Sequence, residues 1–278
     1  MSVAVLLTLF GVGLLVGLVS GLIGIGGGVL IVPFLYAFYA HPAWSGVHIG
    51  SDVATTVAHA TSLFIIVPTA IRGTLSYHRA GLVEWRAAMP IALASVASAI
   101  GGALLAVSLP QFALKVAFGT LLMLSGTDLL RDRSAAAGRR GRSPVALWKS
   151  IATGLVVGLF SALLGIGGGA IAIPLLLYVI GVGVREVAAT SLAIVMCSAL
   201  AGTLTYAASR PDAALPEGTF GYVHLLAALP ILAGSVLAVR WGALLNQRLP
   251  ARSLRTVFAL VFILLGLRLV LLNAPLLF

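Results

Sequence analysis

The 278-residue chain is 60% hydrophobic and 9% charged, with a formal net charge of +10 and a mean hydropathy of +1.14. Soluble domains carry about 25% charged residues, so a soluble enzyme or binding module is excluded and the chain reads as a polytopic integral membrane protein. The basic excess is not a nucleic-acid signal: between Arg131 and Lys149 six basic residues stand against Asp132, +5 in one short segment. That is the bias of a cytoplasmic loop, and it also suits anionic lipid.

In chain order, apolar segments fall near 3–23, 29–40, 53–71, 87–108 and 112–130, then near 150–164, 170–182, 187–208, 222–245 and 254–273. The polar linker RDRSAAAGRRGRSP separates the two sets of five. No Lys or Arg precedes Arg72, so 3–23 is expected to be a membrane element and not a cleavable secretory signal. A spanning helix needs about 20 residues. Segments 29–40 and 170–182 are short, so whether they span or enter and return is open at this point.

Residues 17–33 read GLVSGLIGIGGGVLIVP and residues 158–174 read GLFSALLGIGGGAIAIP. Each glycine in such a run costs about 1 kcal/mol against alanine in a helix. A break at equivalent places in two halves of a membrane chain points to a transporter binding site. The repetition continues: AlaThrSerLeu at 60–63 and 189–192, GlyThrLeuSerTyr at 73–77 against GlyThrLeuThrTyr at 202–206, Pro90 with Pro230, Ser95 with Ser235, and Gly126 with Gly266. The chain is an internal duplication.

Loop charges give the orientation. The 72–86 connection carries Arg72, Arg79 and Arg86 against Glu84 and reads as cytoplasmic, whereas its counterpart at 207–221 has Arg210 against Asp212 and Glu217. Equivalent loops therefore face opposite sides. The expected fold is an all-α polytopic membrane protein of two inverted-topology repeats of about five segments, each opened by a glycine-broken or re-entrant helix. The first repeat covers 1–131, a basic cytoplasmic linker 132–149 and the second repeat 150–278, with both termini external.

Several chemistries lack their parts. Cys197 is the only cysteine, and there is neither an HExxH nor a GxxxxGK[ST] motif. No enzyme activity, metal or cofactor is expected. The candidate site instead uses backbone: Gly24, Gly26, Gly27 and Gly28, with Gly165, Gly167, Gly168 and Gly169, expose N–H groups at helix starts, a ready anion site. Pro33 and Pro174 loosen the first turns that follow. Thr61, Ser62, Thr190 and Ser191 offer hydroxyls, which either donate to an oxyanion or bond back to their own helix. A packing role for the glycines, as in Gly13, Gly17 and Gly21, is the competing reading. His59, whose repeat partner is Ala188, is a candidate for proton transfer or gating. Arg72 and Arg240 are candidates for an anion-attracting vestibule or for snorkelling at the interface.

The doubled GxGGG…P block, the repeated AlaThrSerLeu and the paired GlyThrLeu-Ser/Thr-Tyr resemble the sulfite exporter TauE/SafE family, also called the 4-toluene sulfonate uptake permeases, from about residue 5 to 270. The resemblance implies a secondary transporter of small anions, often sulfur oxyanions, in a bacterial cytoplasmic membrane. The expected function is alternating-access transport of sulfite or an organosulfonate, with export the preferred direction and a proton or sodium as the possible coupling ion. The alternatives are a carrier of another small solute and a non-transporting assembly subunit. Small anion and lipid are the expected partners, and nucleic acid is not.

Overall fold

The protein is described here from a computed structural model covering residues 1–50, 52–130, 146–183, 185–211, 214–248 and 251–273. Most of the expected linker, 132–149, lies outside the described residues. Helices α1 (Val3–Ile23), α2 (Gly28–Ala40), the single turn α3 (Pro42–Ser45), α4 (Ala54–Arg79), α5 (Trp85–Ser108) and α6 (Gln111–Leu130) precede it. After it come α7 (Leu147–Leu163), α8 (Gly169–Leu175) running into a π-helical turn (Leu176–Ile180), α9 (Val187–Ala208), α10 (Leu225–Asn246) and α11 (Ala251–Asn273). A two-stranded hairpin, β1 (Thr219–Phe220) with β2 (Val223–His224), leads into α10.

Among the described residues, α1, α4, α5, α9 and α10 are long and apolar enough to cross a bilayer. Leu7, Leu93, Leu204 and Leu237 stand exposed on their outer faces, as lipid contact allows. The most apolar stretches of α4 and α9 are 72% and 78% buried, against 39–44% for α1, α5 and α10, so α4 and α9 are the central pair. The protein is thus an all-α polytopic membrane protein, as composition and periodicity imply.

Packing comes in matched pairs. α1 lies along α10 and α7 lies along α5; α4 packs on α9, and α6 on α11. Gly13 and Gly17 meet the backbone of Ile231 and Ser235, while Gly154 and Gly158 meet that of Ile91 and Ser95. Small residues at these crossings let backbones approach, which is how membrane helices gain contact where burial from lipid gives little. The packing expectation for Gly13, Gly17 and Gly21 is met, since a Cβ at Gly21 would collide with α10 near Val239 and Ala243.

The structure departs from the sequence reading in three places. α4 continues to Arg79, so Arg72 sits on an exposed helix face and not in a loop. Tyr77 holds that extension: its buried hydroxyl donates to the Gly21 carbonyl at 2.6 Å, and Tyr206 does the same to Ala162 at 2.9 Å. Segment 170–182 changes to a π turn two residues past Pro174. Segment 222–245 starts with a strand, because Gly218 and Gly221 take positive φ (75° and 56°) and turn the chain back on itself.

Candidate functional site

Both glycine blocks break the chain as their sequences require. Gly24, Gly26 and Gly27 have φ of 82°, 85° and 84°, and Gly165, Gly167 and Gly168 have 67°, 75° and 82°. A side chain in that region costs about 1–2 kcal/mol per residue. Gly27 and Gly168 are the N-caps of α2 and α8, and no side chain caps either helix. All of these glycines are buried. Among the described residues, the N–H groups of Gly26, Gly27, Gly167 and Gly168 meet no acceptor.

The two turns touch each other. A Cβ on Gly28 would lie 2.5 Å from Cα of Ile166, and one on Gly169 would lie 2.5 Å from Cα of Ile25. Each turn also leans on the central helix of the opposite half. Gly24 abuts Ala188 of α9, and Gly165 abuts His59 of α4. Ile66 and Val195 reach both Gly26 and Gly167 from the two sides. Packing and site readings therefore divide along the block: Gly24, Gly28, Gly165 and Gly169 are contact points, while Gly26, Gly27, Gly167 and Gly168 carry the unpaired donors.

The four hydroxyls divide as well. Thr61 Oγ1 accepts the His224 N–H at 3.0 Å, and Thr190 Oγ1 accepts the Glu84 N–H at 3.1 Å, so each threonine fixes the start of the other half's long helix. Ser62 and Ser191 are fully buried and their hydroxyls have no partner, so neither is bonded back to its own helix. His59, Ser62 and Ile66 are spaced i, i+3, i+7 along α4, which puts them on one face. His59 borders Gly165, and Ile66 borders both Gly167 and Gly26, so Ser62 shares the face of α4 that packs on the glycine turns. By the same spacing Ser191, between Ala188 and Val195, shares the face of α9 that packs on them.

Other expected residues are placed apart. Arg72 and Arg240 are exposed and outside this cluster. Pro174 joins Ile23, Ile25, Ala170, Ile173, Ser125 and Phe262 around an apolar recess beside the second turn. The sequence reading missed Thr74 and Thr203, buried hydroxyls without partners at matching positions of the repeated GlyThrLeu motif. It also missed Tyr36, whose hydroxyl is hydrogen-bonded to His59 Nε2. The repeated motif was a signal for the threonines; nothing marked Tyr36, 23 residues from its partner.

Comparison with known proteins places this chain in a family. The chain is 26% identical to a probable membrane transporter protein, YunE, of Bacillus subtilis over 97% of its own length and 98% of that protein's. It is 29% identical to a probable membrane transporter protein of Haemophilus influenzae, covering 92% and 94% of the two chains. A third relative, the probable membrane transporter protein MJ0441 of Methanocaldococcus jannaschii, is 26% identical over 92% of each. No solved structure matches significantly. The family model described as Sulfite exporter TauE/SafE matches residues 9–269, and the chain therefore belongs to the TauE/SafE family of multi-pass membrane transporters.

Proposed function

We propose that the chain is a non-enzymatic secondary carrier of small sulfur oxyanions, with its site between the two glycine turns. One observation carries the reading: four buried N–H groups without acceptors lie in two glycine turns that touch each other, and two buried serine hydroxyls without partners lie on the α4 and α9 faces that pack on those turns. Buried donors are almost always paired, and each unpaired one costs about 1–3 kcal/mol. A small oxyanion accepts from all of them at once. Two positive helix starts bind it without a buried full charge, which a bilayer penalises. Gly24, Gly28, Gly165 and Gly169 hold the turns together; Thr61 and Thr190 frame the serines. Pro33 and Pro174 leave carbonyls of the adjoining turns without their usual donor.

Residues 1–131 and 150–278 act as inverted halves in this reading. Alternating access comes from rocking of one half against the other, with Ile66 and Val195 closing the centre. The chain sits in a bacterial cytoplasmic membrane with 132–149 inside and both termini outside, and the exposed Arg72 and Arg240 draw anions toward a vestibule. An inside-negative potential favours export of any anion charge that crosses without a compensating cation, by about 2.3 kcal/mol per charge per 100 mV. The test is labelled flux through purified protein in proteoliposomes, with sulfite, sulfoacetate, sulfate, acetate and chloride compared. Saturable flux confined to the sulfur oxyanions supports the proposal. Acetate or chloride carried equally well removes the sulfur-oxyanion assignment.

A further inference from the structure

We propose that His59 is a proton-coupling residue built into one half only, so that this carrier moves one proton with each monoanion. The inference rests on the carrier reading above. His59 is the single buried imidazole on the central helix pair, and it lies at the point where the second glycine turn crosses α4. Its Nε2 shares a hydrogen bond with the Tyr36 hydroxyl of α2. Its Nδ1 is buried and has no hydrogen-bond partner. An imidazole held at one nitrogen and unengaged at the other, beside the second glycine turn, is arranged to gain a proton at one nitrogen and present an N–H at the other.

The surroundings fit this use. Tyr36 is half-buried, and Lys115 of α6 places its ammonium 5.7 Å from the centre of the Tyr36 ring. Among the described residues Lys115 is the charged group acting on His59; none acts on it from α7, α9 or α10. Gln111, four residues before Lys115, accepts the Thr55 N–H at 2.6 Å and donates to Thr56 at 3.1 Å, which fixes this group against the start of α4. At 1.5 Å per residue, His59 lies about 8 Å inside that start. A proton relays through Tyr36: the hydroxyl gives its proton to Nε2 and takes another on its oxygen, so Tyr36 stays neutral and His59 becomes imidazolium. Lys115 repels that second positive charge, so the imidazolium is favoured only when an oxyanion is present to offset it. Binding is reciprocal by linkage: the anion recruits the proton and the proton recruits the anion. One positive and one negative charge cross together, and no bond other than O–H and N–H changes.

Such cotransport is electroneutral for a monoanion. It still permits export, since a pH difference of one unit balances only about a tenfold anion gradient. The first half carries the whole device, because the position matching His59 is Ala188, which packs on Gly24 as His59 packs on Gly165.

The test uses labelled methanesulfonate, a permanent monoanion that carries no proton itself, and purified protein in proteoliposomes with the membrane potential clamped at zero. Two readouts are compared: exchange of label at equal concentrations, and net accumulation under an inside-alkaline gradient of one pH unit. Wild type is expected to exchange label and to accumulate it about tenfold, the ratio one-to-one coupling gives. His59→Ala, which copies the second half's Ala188, is expected to exchange label with a raised half-saturation but not to accumulate it, and Tyr36→Phe to accumulate at a reduced rate. Exchange by the wild type without accumulation overturns the coupling and leaves the carrier standing. Accumulation by His59→Ala at the wild-type ratio also overturns it. If both variants lose exchange, His59 serves the glycine turn and the coupling is overturned. No exchange by the wild type overturns the sulfonate-carrier reading and this inference with it.

Discussion

Removing the Ser62 or Ser191 hydroxyl should have opposite effects on stability and on affinity. Each hydroxyl is fully buried and unpartnered. Replacing an unsatisfied buried polar group with an apolar one of similar shape is neutral or stabilising. Ser62→Ala and Ser191→Ala are therefore expected to leave the melting temperature of the solubilised protein unchanged or slightly raised. A hydrogen bond to a charged partner contributes about 1.5–3 kcal/mol, so losing one donor should weaken anion affinity roughly ten- to hundredfold. Half-saturation of labelled flux reads the second effect and a thermal shift reads the first. Thr61→Val is the contrast: it strands the His224 N–H, whose acceptor is the Thr61 hydroxyl, and costs about 1–3 kcal/mol of stability. If Ser62→Ala and Ser191→Ala melt lower while half-saturation stays put, the serines are packing residues and the donor argument fails.

Gly28→Ala and Gly169→Ala push a Cβ to 2.5 Å from a backbone Cα of the opposing turn. Ordinary carbon contacts need about 3.5–4.0 Å, so the turns must part by about 1 Å, and both variants should lose roughly 1–3 kcal/mol or more of stability, which is what overpacking costs. Gly27→Val and Gly168→Val meet a side-chain methyl instead, Val16 Cγ1 at 2.6 Å and Val157 Cγ1 at 2.8 Å. They should abolish flux while insertion persists; loss of insertion would mean the turns serve packing alone. Tyr77→Phe and Tyr206→Phe each delete one buried hydrogen bond and should cost about 1 kcal/mol of stability apiece, read as similar drops in thermal midpoint. A reporter fused within 134–143 should read as cytoplasmic and one within 212–216 as external. The same side for both would sink the inverted arrangement.

Helix positions were legible because apolar runs and glycine breaks are local signals. The segments read at 3–23 and 187–208 coincide with Val3–Ile23 and Val187–Ala208. What failed was the use of arginine as a stop sign. Arg72 is tolerated on an exposed face while Tyr77, which in the sequence is only one letter of a repeat, anchors the next turns through a bond to Gly21, 56 positions away. The hydroxyl pairs were visible, but not their division of labour, since the amides that occupy Thr61 and Thr190 come from residues 163 and 106 positions distant. Tyr36 was invisible for the same reason. Its meaning depends on a contact between α2 and α4 that no periodicity encodes.

The duplication also constrains how the site can move. Were the glycine turns bound only to their own halves, each could open without disturbing the other. Instead Gly24 grips α9 and Gly165 grips α4, and Ile66 and Val195 wedge between both turns. A shift of one half therefore has to change the backing of both turns together, and the donors of Gly26 and Gly167 cannot be exposed to one side independently. Backbone contacts this close behave as on-off elements because packed interiors do not stretch. In the proposed carrier the glycines that set the crossing points and the glycines that offer N–H groups are adjacent for a reason: the residues proposed to bind the anion move only when the residues that hold the halves together slide. A variant that loosens the crossing without touching the donors, such as Val195→Ala, should then raise leak of the anion under a gradient while leaving its half-saturation within about twofold. Unchanged leak with weakened binding would place Val195 among the binding groups and end the argument.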